Sequence, residues 1–321
     1  MKKLLIKTIL VSIVVLLLPF LLTLVFSRQD NTAAGSIKAE VFEIYYEAGG
    51  METGLSFDEY LLGVIAANMP ASYQMEALKA QAIIARTYAL YNISVLSQEN
   101  PGQTRFSASE LGLPYIGLDD LKKLWNSENY TYYFSKIENA VYATDNEVLV
   151  YRNDLILPVF FDTGSGFTRN ASEAWGVNIP YLTSVASKQD VTSTNYLSIE
   201  EYAVKDLIDL LGKYYSNLKL SEDNFFEEVS ITSRDSAGYV LKINLGSLTL
   251  SGEEFAKVLG LSSNHFYIEE YGDHVRVVCN GDGHGVGLSQ YGANAMAEEG
   301  SSYKDILEYY YTGVTFARLS Y

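Results

Sequence analysis

Residues 8–26 carry no charged side chain, and three lysines, Lys2, Lys3 and Lys7, stand just ahead of them. About 20 apolar residues are what an α-helix needs to cross a bilayer. Basic residues on the short leading side keep that side in the cytoplasm, and Pro19 is tolerable inside such a helix. A cleaved signal peptide has a shorter apolar stretch, about 7–15 residues, ending at a small-x-small site. Here the nearest small residues, Ala33, Ala34 and Gly35, come well past the end of the run. The expectation is an uncleaved anchor in the cell membrane over residues 1–28 and a linker over 29–36. A domain outside the cytoplasm follows over 37–321, with about 191–270 as an inserted or more variable subdomain.

That compartment permits disulfides, yet the only cysteine is Cys279. A chain of 321 residues can build a sufficient core without them. Of 23 Lys and Arg, four fall at Lys2, Lys3, Lys7 and Arg28. The remaining 19 face 39 Asp and Glu, a charge of −20 on the exported part. Nucleic acid, which is held by Lys and Arg contacts to phosphate, is excluded as a partner. Anionic lipid and anionic wall polymers are poor partners for the same reason. A neutral glycan fits.

The pattern of strands and helices is irregular. Residues 37–46 have the β-branched and aromatic content of a strand. Ser56 and Glu59 form a capping box that opens a helix ending near Asn68, ahead of Met69-Pro70. A second helix is expected from Gln74 to Asn92, then a loop or arm over 92–109. A hairpin turns at Asn153-Asp154 between 147–152 and 155–161. Boxes at Ser198/Glu201 and Ser251/Glu254 each open a helix. A hairpin turns at Gly246-Ser247, His274 to Cys279 reads as a strand, and Tyr303 to Tyr311 as a terminal helix. Hairpins and helices without regular alternation make the class α+β.

Two segments carry candidate chemistry. Along the second helix Glu76, Lys79, Ile83 and Arg86 recur at three- and four-residue steps and share a face, with Gln81 and Tyr88 beside them. Glu76 lies in the first turn, where the helix dipole favours a carboxylate. Gly281, Gly283, Gly285, Gly287 and Gly292 are too many for a helix or strand interior, and they bracket His284, Ser289, Gln290 and Tyr291. Their spacing fits no nucleotide-binding loop, and Gly287 to Tyr291 is not a G-x-S-x-G elbow. Residues 162–168 supply a second glycine-dependent loop with Ser165 and Gly166. With three histidines, one cysteine and no close Cys/His pairs, no metal or other cofactor is expected. Cys279 reads as a small buried hydrophobe.

Taken together these residues resemble the stage II sporulation protein D family, which is related to the amidase-enhancer domain. The resemblance rests on Tyr60-Leu61-Leu62-Gly63-Val64, Met69-Pro70, residues 76–88, residues 283–293 and Tyr310-Tyr311-Thr312-Gly313-Val314. Weaker agreement covers residues 164–168, Trp175 and Pro180-Tyr181-Leu182. It implies a membrane-anchored peptidoglycan lytic transglycosylase acting during sporulation engulfment. Such an enzyme cleaves peptide-stripped glycan strands to 1,6-anhydromuramyl ends.

By the same resemblance Glu76 is the catalytic acid. Lys79, Gln81, Arg86, Tyr88, Ser165, Gly166, His284, Gly285, Gly287, Ser289, Gln290 and Tyr291 bind substrate. Two departures stand out. The family usually has Glu-Met-Pro where this chain has Asn68-Met69-Pro70, so position 68 is the other place for the acid. The zinc cluster of some members is not carried over, because residues 92–130 hold neither His nor Cys. Asp162 and Glu173 are the next carboxyl candidates. The alternative function is a glycan-binding scaffold that recruits an amidase or other engulfment partners.

Overall fold

The structure, a computed structural model, describes residues 35–38, 41–144 and 146–320. The anchor expected at residues 8–26 lies outside the described residues. No described helix is long and apolar enough to cross a membrane.

Strands β1 (Gly35–Lys38), β2 (Glu43–Ala48) and β3 (Met51–Leu55) replace the single strand expected over 37–46. Helix α1 (Phe57–Asn68) opens as the sequence predicts. The Ser56 hydroxyl accepts from the Glu59 N–H, and the Glu59 carboxylate accepts from the Ser56 N–H at 2.8 Å. Helix α2 runs over Met75–Glu99, seven residues past the end expected at Asn92. Ile93 and Leu96 carry it onward by packing into the core, and the Asn92 amide donates to Leu111 O at 2.9 Å. The expected arm therefore begins later and contains β4 (Arg105–Ser107), which pairs in parallel with β2. Helices α3 (Leu118–Leu124) and α4 (Asn126–Ala143) follow.

Helix α2 is the axis of this half of the molecule. Ala77, Leu78, Ala82, Ala85 and Ala89 face a core shared with α1 and α4, while Ala80, Ile83 and Ile84 face a second core. From Ala80 to Thr87 every residue is buried, so this stretch of the helix is enclosed on all sides, its polar Gln81, Arg86 and Thr87 included. The alanines let neighbouring elements approach closely and favour the helix itself.

Strands β5 (Glu147–Tyr151) and β6 (Asp154–Leu155) form the expected hairpin. It turns at Arg152 and Asn153, both with positive φ. The hairpin ends at Leu155, however, and β7 (Phe160–Phe161) leaves it for another partner. After α5 (Ala171–Trp175) and a 3-10 turn at Lys188–Thr192, the chain enters a unit with its own apolar core. The elements of this unit are β8 (Leu197–Ala203), α6 (Val204–Tyr214), α7 (Phe225–Glu228), β9 (Val229–Arg234), β10 (Val240–Leu245), β11 (Leu248–Ser251), α8 (Gly252–Leu259), β12 (Phe266–Tyr271) and β13 (His274–Asn280). They form two antiparallel sheets, ordered β11-β10-β9 and β12-β13-β8.

The box expected at Ser198/Glu201 does not open a helix. Those residues lie in β8, where Glu201 stands opposite Arg276 of β13 and pairs with it at 2.8 Å. The box at Ser251 does cap α8.

The chain then returns to the first half through β14 (Leu288–Ser289), α9 (Gln290–Glu298), α10 (Tyr303–Tyr310) and β15 (Thr315–Ser320). β14 is the partner of β7, in parallel. β15 sits between β1 and β5, so the last strand completes a sheet begun by the first described one. The whole is an assembly of helices and several small sheets.

Candidate functional site

The glycine-rich segment is threaded against residues 159–169. Asp282 N donates to Thr163 O at 2.7 Å, Arg169 N donates to Gly285 O at 2.7 Å, and Leu288 stands opposite Phe160. The alternate residues Gly281, Gly283, Gly285 and Gly287 all have φ between +77° and +107°, a region that other residues rarely adopt. A Cβ on Gly287 would lie 2.0 Å from Val159 O, and one on Gly292 would lie 2.1 Å from the Tyr310 hydroxyl. The spacing that marked this segment in the sequence therefore serves close backbone packing first.

At its end Ser289 caps α9, accepting from Gly292 N, and donates to Asp190 Oδ1 at 2.8 Å. Asp190 also accepts from Gly164 N at 2.8 Å and from the Ser187 hydroxyl, which in turn meets the Tyr310 hydroxyl. Burial, partly opposed by these three donors, pushes the Asp190 carboxyl up to about 6. One buried carboxylate thus fastens the 162–166 loop, the 3-10 turn and the start of α9. Nothing in its local sequence marks it, because its partners come from three distant segments.

His284 packs edge-on to Phe161 and lies 5.7 Å from the Trp175 ring. Its Nδ1 accepts from Val286 N. Burial and the nearby Arg169 cation hold the imidazole down to about 4, so it is neutral at physiological pH. Arg169 is itself buried, ion-paired to Asp235 at 2.6 Å, and donates to His284 O at 3.0 Å. This pair joins the 197–280 unit to the glycine-rich segment.

The start of α2 meets the same region. Gln74 N donates to Asn294 Oδ1 at 2.7 Å, and the buried Gln81 and Gln290 amides meet at 3.3 Å. Tyr73 stands near Asp162 and Tyr291; burial, then Asp162, pushes its hydroxyl up to about 12. Tyr291 N donates to Asp162 O, and its hydroxyl meets Thr192. Tyr73, Asp162 and Tyr291, all partly exposed, mark a seam between the two halves of the motif set.

A family described as "Stage II sporulation protein" matches residues 51–151. Stage II sporulation protein D of Bacillus subtilis (strain 168) is 35% identical over 91% of this chain and 83% of its own length. The chain belongs to the stage II sporulation protein D family. The protein of the same name from Bacillus amyloliquefaciens is 34% identical over 89% of this chain and 82% of its own. The Amidase enhancer of B. subtilis (strain 168) is 28% identical over 79% of this chain and 40% of its own length.

Within this stage II sporulation protein D relative, the expected site residues divide by accessibility. Glu76, Lys79, Tyr88, Ser165, His284 and Tyr291 are partly exposed, whereas Gln81, Arg86, Gly166, Gly285, Gly287, Ser289 and Gln290 are buried. Arg86 in particular is enclosed and serves the end of α4: its guanidinium donates to Val141 O, to Glu147 O and to the Thr144 hydroxyl. Val141 O is one of the last carbonyls of α4, which a helix C-terminus leaves without an intrahelical partner, and an arginine there also suits the dipole. The Glu76 carboxylate is occupied on both oxygens. Lys79 Nζ lies 2.6 Å from Oε1, and Tyr303 N, at the start of α10, donates to Oε2 at 2.9 Å. Among the described residues no hydrogen bond, ion pair or ring contact links Glu76 to His284. Glu173 accepts from the Ser236 hydroxyl and the Asn170 amide, which in that order hold its carboxyl below the usual range.

Asn68 sits at the end of α1 with its amide Nδ2 donating to Val64 O at 2.7 Å and Pro114 O at 2.9 Å. Among the described residues no group of three or more His, Cys, Asp and Glu is placed to hold a metal ion.

Proposed function

We propose that this chain binds peptidoglycan glycan strands in the sporulating cell envelope and holds them without cutting them. The observation that carries this reading is the environment of position 68. Two backbone carbonyls face the side chain there. A carboxyl facing two acceptors is favoured when protonated, which is what a general acid for glycoside cleavage requires. An amide satisfies both carbonyls permanently but has no proton to transfer. Glu76, the other candidate, is engaged by a cation and a backbone N–H, and both partners donate to a carboxylate. The seam itself, with Tyr73, Tyr291 and Asp162 along it, supplies aromatic faces and hydroxyl partners of the kind that sugars use. The family and the amidase-enhancer relative support a role at the cell wall. The acidic exported surface suits a neutral strand and locally basic partner proteins such as an amidase. Residues 8–26 would tether the domain outside the cytoplasm.

The second reading is cleavage as a lytic transglycosylase, and Glu76's partial exposure beside the seam favours it. Glu76 would shed Lys79, take up a proton and deliver it to the glycosidic oxygen. The same carboxylate would then accept the proton of the muramyl C6 hydroxyl as that oxygen closes on C1. A 1,6-anhydro end results and no water is consumed.

The test is incubation of the full chain and its variants with peptide-free strands, counting anhydro ends. Binding without ends in the wild type, and ends in Asn68→Glu, is the expected result. Ends formed by the wild type and abolished by Glu76→Gln would replace binding with cleavage by Glu76.

A further inference from the structure

We infer that a second sugar-binding pocket lies between β2, β4 and residues 107–115, and that it takes a neutral N-acetylated pyranose. The inference rests on the glycan-binding reading above and names a subsite for it. The pocket is a cavity of about 460 Å³ lined by Tyr46, Glu47, Ser107, Ser109, Leu113 and Tyr115 among others. That volume falls within the range of small-molecule sites and exceeds what one sugar ring needs.

Its chemistry selects the ligand class. The Tyr46 and Tyr115 rings meet at 4.8 Å with a 58° tilt, giving an angled aromatic wall for the apolar face of a pyranose. The Ser107 and Ser109 hydroxyls bond each other at 2.9 Å while Ser107 Oγ accepts from Glu110 N, which leaves the pair one O–H and spare lone pairs for a ligand, and the exposed Glu47 carboxylate accepts from ring hydroxyls. Leu113, with Ala108 beside it, provides an apolar patch for an acetamido methyl group. No Lys or Arg lines the cavity, so an anionic ligand would be unpaired there. A single carboxylate is too little for a metal ion.

The pocket is also built to persist. Tyr115 stacks on the buried Tyr60, at 5.9 Å and nearly parallel, and fits against Gly63, where a Cβ would lie 2.3 Å from its ring. The wall it forms is continuous with Asn68, whose amide holds Pro114 O. A strand gripped near Asn68 therefore has a sugar-sized recess immediately beside it.

The probes are a β-1,4-linked trimer of N-acetylglucosamine and peptide-free strands, titrated calorimetrically into the full-length chain in detergent micelles. The wild type should bind both. Tyr46→Ala and Ser109→Trp, the second filling the pocket from an exposed position, should each weaken the trimer at least tenfold. Maltotriose, which lacks acetamido groups, should bind at least tenfold more weakly than the trimer. If the wild type binds strands and trimer but Ser109→Trp leaves trimer affinity unchanged, the pocket is not the site and this inference falls while the glycan reading stands. If the wild type binds neither probe, both fall together. Because Tyr115→Ala would disturb packing around Gly63, unfolding by far-UV circular dichroism is to be compared only across the Tyr46 and Ser109 variants.

Discussion

Gly287 and Gly212 show how differently one residue type can be used. Gly287 combines a φ of +83° with a Cβ position 2.0 Å from a backbone oxygen. Gly287→Ala should cost at least about 2 kcal/mol from strain and overpacking, whereas Gly212→Ala, in the open on α6, should gain roughly 0.5–1 kcal/mol. Urea unfolding of the two variants checks both signs. Asp190 and His284 set up a second residue-scale test. Asp190 protonates at about 6 when folded against 3.8 ordinarily, so its contribution to stability is full below 3.8 and is lost as pH rises through 6. His284 protonates at about 4 against 6.5, so its contribution is full above 6.5 and is lost as pH falls toward 4. The two oppose one another over the same window. Asp190→Asn should therefore lose stability more steeply than the wild type on acidification from pH 6.5 to 4, by on the order of 2 kcal/mol. Urea midpoints at pH 4, 5 and 6.5 measure it, and a profile parallel to the wild type would contradict the assignment.

Elements were legible in the sequence wherever a local device fixes them. Ser56 and Ser251 announce α1 and α8 because side chain and backbone cap each other within four residues. Ser56→Ala and Ser251→Ala should each cost about 1 kcal/mol, read from thermal unfolding. The same spelling at Ser198 misleads, since pairing with β13 decides β8 and a strand edge also tolerates Ser and Glu. The length of α2 was underread because Ile93 and Leu96 are held by tertiary packing. At the candidate site the glycine-rich segment and the head of α2 stood out by their polar residues, and Gln81 does meet Gln290. Asp190, Arg169 and Asp235 did not stand out, because a buried polar group is defined by partners far away in the chain. Position 68 lay between these cases. Its departure from the family was visible, while the two carbonyls that give it chemical meaning were not.

At the scale of the whole molecule, the 197–280 unit with its own core is tied to the glycine-rich segment through the buried Arg169–Asp235 pair. Asp235→Ala leaves the buried Arg169 guanidinium with only the more distant, exposed Glu253 carboxylate at 3.7 Å and should cost about 3 kcal/mol, with faster amide exchange at residues 229–280. Replacing both partners by apolar residues should recover much of that loss, and no recovery would mean that the pair does more than neutralise itself. The position of β15 has a different kind of outcome. It is an inner strand of the sheet β1-β15-β5-β6, and ahead of it the start of α10 receives Glu76. Central pairings between residues some 280 positions apart must close a very long loop, and topologies dominated by such contacts fold slowly. A growing polypeptide would hold β1 and β5 apart, with a vacant lane between them, until residues 315–320 are free to enter. That late-entering segment is the wedge that locks the arch, so the sheet can close only after the strand most distant from β1 in sequence has been made.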